Sequence, residues 1–120
     1  MKTILLVDGD SDSRIVYRTI LRHHGFDVVE AADGQAGLEL ARKVVPALVI
    51  TELTVPKLGG LDLIRQLRAL PETHAALLLV LTAIALESER IRAEAAGCTK
   101  FLTKPIEPQV LLQEVRLLLS

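Results

Sequence analysis

Four polar side chains each stand where an apolar run ends. Asp8 follows Thr3-Ile4-Leu5-Leu6-Val7, Glu52 follows Ala47–Thr51, Thr82 follows Leu77–Leu81, and Lys104 follows Phe101-Leu102-Thr103. If those runs are parallel strands, their carboxyl ends lie side by side, where open sheets collect ligands and chemistry. Two carboxylates, a hydroxyl and an ammonium group then share one crevice. A direct Glu52–Lys104 pair there would need no metal and would be permanent. Asp10 and Asp12, in Asp8-Gly9-Asp10-Ser11-Asp12, add further carboxylates beside Asp8. That stretch lacks the twelve-residue ligand pattern and terminal Glu of a calcium loop, so Ser11 or Asp12 is read as a helix N-cap. No Ser/His/Asp or Cys/His grouping has the spacing of a nucleophilic catalyst, and an enzyme is not expected.

The elements that position these residues follow from hydrophobic period. Strand-like runs at Thr3–Val7, Asp27–Ala31, Ala47–Thr51, Ala76–Leu81 and Lys100–Thr103 alternate with helical spacing at Asp12–His24, Gly34–Val44, Leu61–Leu70, Glu87–Ala96 and Pro108–Leu119. The first, third and fourth runs are apolar on both faces, as strands between two helix layers must be. Gly25 and Gly97 close the first and fourth helices, Pro46 follows the second, and Pro108 opens the last. Five β-α units give an α/β domain over residues 1–120, a flavodoxin-like (βα)5 doubly wound fold. Its parallel sheet has the order 2-1-3-4-5, with the switch point between the first and third strands. Asp8 and Glu52 are then neighbours across that crevice.

Totals narrow the function classes. The 120 residues carry a formal net charge of −1, which argues against a general nucleic-acid or membrane surface. Half the residues are apolar and only Tyr17, Phe26 and Phe101 are aromatic, so the core is aliphatic. No apolar run approaches the ~20 residues that span a bilayer, and Met-Lys-Thr-Ile runs straight into a strand. The lone Cys98 fits a reducing compartment, so a cytoplasmic location is expected, with the thiol facing the core. His74 is expected on the surface. Arg14, Arg18 and Arg22 form an i, i+4, i+8 stripe, read as a solvated helix face, with an acidic partner as the alternative. At about 100° per residue, Leu111, Leu112, Val115, Leu118 and Leu119 share the inward arc of the last helix. Val110 and Leu117 fall on its far side.

Motifs spread from end to end carry a resemblance: Leu5-Leu6-Val7-Asp8, Gly25-Phe26, Ala32-Asp33-Gly34, Pro46 through Pro56 and Gly60, Leu81-Thr82-Ala83, Ala96-Gly97, and Phe101-Leu102-Thr103-Lys104-Pro105. The whole chain resembles a receiver domain of two-component response regulators. The resemblance implies a phosphoacceptor aspartate ending the third strand, two acidic residues after the first strand that hold Mg²⁺, and partners that are histidine kinases or effectors. Thr82, Ala83 and Lys104 stand at the positions that contact the phosphoryl group. Thr82 and Phe101 take the switch positions, and Pro105 follows Lys104 where the family commonly has a cis peptide. Asp8 matches the first acidic position. Gly9 occupies the second, and Glu52 occupies the phosphoacceptor position.

Both departures act on the same chemistry. Mg²⁺ wants a near-ideal octahedron at about 2.0–2.1 Å, and Gly9 removes a direct carboxylate ligand. Asp10 is a partial substitute that leaves the backbone in another direction. The Thr54 position offers the metal only a backbone carbonyl, so a weak Mg²⁺ site from Asp8, Asp10 and Thr54 is the most that remains. Glu52 reaches roughly 1.5 Å further than aspartate, and a misplacement near 1 Å costs on the order of 100-fold in phosphoryl transfer. The expected function is an atypical receiver, a phosphorylation-independent interaction module whose Glu52 carboxylate reaches Lys104 and Thr82. Such a pair holds the domain either near an activated-like arrangement or in one fixed state unrelated to switching. The resemblance places partner contact, or a homodimer, on the fourth helix, fifth strand and fifth helix, with Leu86, Phe101, Val110 and Leu117 as anchors. The alternatives are a working Mg²⁺-dependent phosphoreceiver and a flavin- or nucleotide-binding domain. The three carboxylates of the first loop disfavour the latter, because they repel a phosphate. Sequence leaves open the upstream sensor, the downstream target, the oligomeric state, and whether the chain is complete or excised.

Overall fold

Backbone pairing confirms the sheet and its order. The computed structural model describes residues 2–120; Met1 lies outside them. Along the chain run β1 (Thr3–Val7), α1 (Ser11–His23), β2 (Asp27–Ala31), α2 (Gly34–Val44), β3 (Leu48–Thr51), α3 (Gly60–Ala69), β4 (Leu77–Thr82), α4 (Glu87–Ala96), β5 (Lys100–Thr103) and α5 (Pro108–Leu119). All neighbouring strands are parallel, in the order β2-β1-β3-β4-β5. Successive side chains of a strand point to opposite faces, so each central strand feeds two cores. Leu5, Val7, Val49, Leu78 and Val80 pack against α2, α3 and α4 through Leu38, Ala41, Leu63, Ile64, Leu67 and Ala93. Ile4, Leu6, Leu48, Ile50, Leu79 and Leu81 pack against α1 and α5 through Tyr17, Leu21, Leu111, Leu112 and Val115. No helix among the described residues is long and apolar enough to cross a membrane.

Element edges differ from the sequence reading by single residues, and caps explain the shift at α1. Asp10, not Ser11 or Asp12, is its N-cap, because its carboxylate accepts from the Asp12 N–H. The helix therefore starts at Ser11 and ends at His23, before Gly25 at φ +91°. Asp33 caps α2 in the same way, accepting from Ala36 N at 2.7 Å. The structure starts β3 at Leu48, starts α3 at Gly60, and carries β4 on to Thr82. Lys104–Pro105 is cis, as the resemblance implied. Leu111, Leu112 and Val115 are buried, whereas Leu118 and Leu119 are only half-buried at the end of α5.

The loop from β3 to α3 is where the fold presses on the site. Gly60 N–H donates to Leu53 O at 2.9 Å, which folds α3 back over the end of β3. A Cβ on Gly60 would sit 2.5 Å from Glu52 O and 2.8 Å from Leu53 Cα, both fixed backbone atoms. Only glycine lets the helix start lie this close to Glu52. Gly60→Ala is therefore expected to lower stability by about 1–3 kcal/mol, the usual range for forced overpacking. Urea denaturation checks this, and an unchanged midpoint contradicts the close approach.

Candidate functional site

Three of the four strand-end residues sit on backbone that the sheet still holds. The ladder runs one residue past each strand: Asp8 N–H donates to Ala31 O at 3.1 Å, Glu52 N–H to Val7 O at 3.0 Å, and Lys104 N–H to Thr82 O at 2.8 Å. Thr82 itself ends β4, paired in register with Thr103. The side chains thus leave from fixed points before the loops begin. Convergence here is a property of the sheet.

Lys104 Nζ lies 2.7 Å from Asp8 Oδ2 and 3.2 Å from Glu52 Oε2, bridging the two carboxylates. Asp8 and Glu52 are only 5% and 7% exposed. Each remaining carboxylate oxygen has a backbone partner. Asp8 Oδ1 accepts from Asp10 N at 2.9 Å, and Glu52 Oε1 from Leu53 N at 2.8 Å. Glu52 Oε2 also accepts from Ala83 N at 3.3 Å. The expected Glu52–Lys104 pair is present. Contact with the Thr82 hydroxyl is not, because Thr82 Oγ1 turns along its own loop and accepts from Ile84 N at 3.1 Å. Ala83 N stands in its place. Burial pushes the Lys104 ammonium toward lower pKa, but the hydrogen bond and charge of Asp8, joined by Glu52, outweigh it and hold the group above the ordinary lysine value.

Other sequence candidates are placed differently. The Asp10 carboxylate is turned to the start of α1: Oδ1 accepts from Asp12 N at 3.1 Å and Oδ2 from Ser13 Oγ at 3.0 Å. The Ser13 bond, with the Asp12 N–H, holds it below the usual carboxylate pKa. Thr54 and Ala83 are exposed at the rim, and Phe101 is half-buried. Leu86 and Phe101 share a groove with Arg90, Leu102 and Thr103, whereas Val110 and Leu117 are exposed on α5 outside that lining. His74 is exposed, and Cys98 is half-buried beside the α2–α4 core, where burial raises its thiol pKa.

The arginine stripe corrects the sequence reading in part. Arg14 and Arg18 are half-buried and already paired with an acid of this chain, whereas Arg22 stays exposed as a solvated face requires. Arg14 Nε and Arg18 take Glu30 at 3.3 and 2.7 Å, Arg22 donates to Val28 O at 2.7 Å, and Arg14 also donates to Asp8 O at 2.6 Å. Burial raises the Glu30 pKa, yet Arg18 and then Arg14 outweigh it and leave it lowered. Sequence reasoning missed Glu30. The available signal was an acid inside β2, between Val29 and Ala31, opposite arginines at helical spacing.

Comparison with known proteins agrees with this geometry. A family model described as the response regulator receiver domain matches residues 4–116. The chain belongs to that family. It is similar to Protein PilH of Pseudomonas aeruginosa, 30% identical over 120 residues that cover 100% of this chain and 99% of PilH. It is 32% identical to the transcriptional regulatory protein CpxR of Escherichia coli, across 99% of this chain and 50% of CpxR. Among solved structures, the chemotaxis response regulator CheY4 of Vibrio cholerae superposes with a TM-score of 0.93 at 26% identity, covering 98% of each chain.

Receiver domains typically bind Mg²⁺ at the phosphorylation site. The side chains of this receiver do not fit it well. Asp8 and Glu52 share an ammonium group, Gly9 offers no donor, and the Asp10 carboxylate caps a helix. Among the described residues no three His, Cys, Asp or Glu side chains are grouped to hold a metal.

A raised Lys104 pKa means that the folded state binds that proton more tightly than the unfolded chain does. Its stabilisation is complete below the ordinary lysine value of about 10.4, and is lost as pH rises through the folded value. Lys104→Met is expected to lower stability at pH 7 by about 1–2 kcal/mol, discounted for the water that still reaches the pair. The difference from the native chain should shrink above pH ~10.4. Melting curves at stepped pH check it, and a constant difference would refute the linkage.

Proposed function

We propose that this receiver works in two-component-type signalling as an interaction module whose state does not depend on phosphorylation. The observation that carries the reading is the ammonium of Lys104 already shared between Asp8 and Glu52. Phosphoryl transfer is catalysed by positioning and charge neutralisation. Here Glu52 stands at the acceptor position with one oxygen bonded to Leu53 N and the other to Ala83 N and Lys104. A carboxylate held by the contacts that a phosphoryl group would use leaves the pocket in one state. Gly9 supports the same reading, since it withdraws a metal ligand.

Receiver domains interact with histidine kinases and effectors. For this chain the proposed contact face is α4, β5 and α5. Leu86 and Leu117 are 61% and 71% exposed there, with Val110 at 42% and Phe101 half-buried. A net charge of −1 suits a protein partner, either kinase-like, an effector or a second copy, better than nucleic acid or a membrane surface. The free Cys98 thiol supports a cytoplasmic setting.

Incubation with acetyl phosphate and Mg²⁺, followed by intact-mass measurement, tests the reading. The native chain is expected to gain no phosphoryl mass, and a gain would overturn it. The double variant Gly9→Asp with Glu52→Asp is expected to gain that mass. A Cβ at Gly9 meets only Pro56 Cδ at 3.5 Å and Ala32 O at 3.6 Å, ordinary contacts that leave room for the new side chain. The face is tested separately. Val110→Glu and Leu117→Glu should lower the light-scattering mass of any complex that the chain forms, and unchanged masses remove these anchors.

A further inference from the structure

We propose that Arg14 is a positioning residue for the Asp8–Lys104 contact, held in place by Glu30. The inference rests on the fixed carboxylate–ammonium state described above and names what keeps its first member in line. Arg14 makes two directed contacts from one guanidinium group: Nε to Glu30 Oε1 at 3.3 Å and a second nitrogen to Asp8 O at 2.6 Å. Glu30 is anchored in β2, where it stands in register with Leu6 of β1, and its other oxygen takes Arg18 at 2.7 Å. The Arg14 and Glu30 side chains are about four-fifths covered, at 18% and 21% exposure. This is a braced contact on the rim of the pocket.

The need for a brace comes from Gly9. The Asp8 N–H is fixed to Ala31 O, but the carbonyl of Asp8 belongs to the Asp8–Gly9 peptide, where the ladder has ended. Glycine leaves that peptide more freedom than any other residue would. Rotation of the peptide carries Gly9 and Asp10 with it, and Asp10 N is the donor that orients Asp8 Oδ1. With Oδ1 misdirected, Oδ2 no longer meets Lys104 Nζ at 2.7 Å. Arg14 clamps the one atom, Asp8 O, whose position decides that chain of contacts. A guanidinium fork spans two acceptors at fixed angles, which a lysine ammonium cannot reproduce.

The test reads the Lys104 ammonium group directly. Nitrogen-15 NMR of lysine side chains at neutral pH, without Mg²⁺ or phosphodonor, reports the proton-exchange rate of Nζ and its coupling across the hydrogen bond to the Asp8 carboxylate. Arg14→Gln is expected to raise the exchange rate several-fold and abolish the coupling. Arg18→Gln removes a Glu30 contact of similar kind without touching Asp8, and should leave both signals as in the native chain. Gly9→Ala in the Arg14→Gln background is expected to restore the coupling by stiffening the peptide. A folded Arg14→Gln with native exchange and coupling overturns the proposal. So does an Arg18→Gln variant that loses them equally, because a merely structural role moves both. Should Arg14→Gln fail to fold, Arg14→Lys is read against the same criteria. A phosphoryl adduct on the native chain would strike the proposed function and leave this result standing, so the two failures are distinguishable.

Discussion

Two carboxylates on adjacent strands, each almost out of water, repel one another unless a cation lies between them. That constraint organises the mouth of this sheet. Asp8 and Glu52 are brought together by β1–β3 pairing, in which Val7 opposes Thr51, and the ladder fixes their backbones one residue further on. At a few ångströms in a partly buried site, like charges cost several kcal/mol. Lys104 supplies the compensating charge because β5 pairs with β4 in the register that sets Thr103 opposite Thr82. The ion triad is thus assembled by the sheet order 2-1-3-4-5. Its members lie far apart in sequence and meet only when all five β-α units have closed.

This dependence explains which parts were legible beforehand. β1, β3 and β4 announced themselves as runs apolar on both faces, and a residue ending such a run needs no tertiary information to be placed at the mouth. Asp8, Glu52 and Thr82 were found by that rule, and Lys104 by the end of the shorter Phe101-Leu102-Thr103 run. The direction of a side chain after it leaves the backbone obeys short-range competition instead. The Thr82 hydroxyl had two acceptable placements, against the Glu52 carboxylate or folded along its own loop, and it takes the second, accepting from the Ile84 N–H two residues on. Glu52 shows the same preference. Its extra methylene lets Oε1 curl back to Leu53 N. Nothing in residue spacing distinguishes these outcomes.

Long-range pairings of arginine were harder still. The Arg14, Arg18 and Arg22 stripe has the period of a solvated helix face, and period alone cannot reveal that the neighbouring edge strand carries Glu30. Arg68 makes the point at the opposite end of the sheet. Its guanidinium donates to Gly97 O, His74 O and Ala76 O, with no carboxylate involved. It joins α3 to the loops that lead into β4 and β5 through backbone carbonyls, which sequence does not mark as partners. Burial lowers its pKa from the ordinary arginine value, yet the carbonyl dipoles satisfy its donors.

On the proposed reading, the two departures from the family pattern, Gly9 and Glu52, act through one charge count. Asp8, an acid at position 9, an acid at position 52 and Lys104 would leave the pocket two charges negative, which a divalent cation balances. With Gly9 the remaining groups sum to a single negative charge, and that cation loses both a ligand and part of its electrostatic attraction. Glu52 compounds the loss in space. Its longer side chain brings Oε2 within 3.2 Å of Lys104 while Ala83 N holds the same oxygen. Correcting the count alone would leave that oxygen in contact with the groups a phosphoryl group needs. Shortening residue 52 alone would clear those groups but restore neither the ligand nor the charge. The two positions are therefore non-additive, as neighbours in one charge network are. On that reading Lys104 is left as the cation between Asp8 and Glu52, on a scaffold whose strand order and two-sided core are those of a receiver.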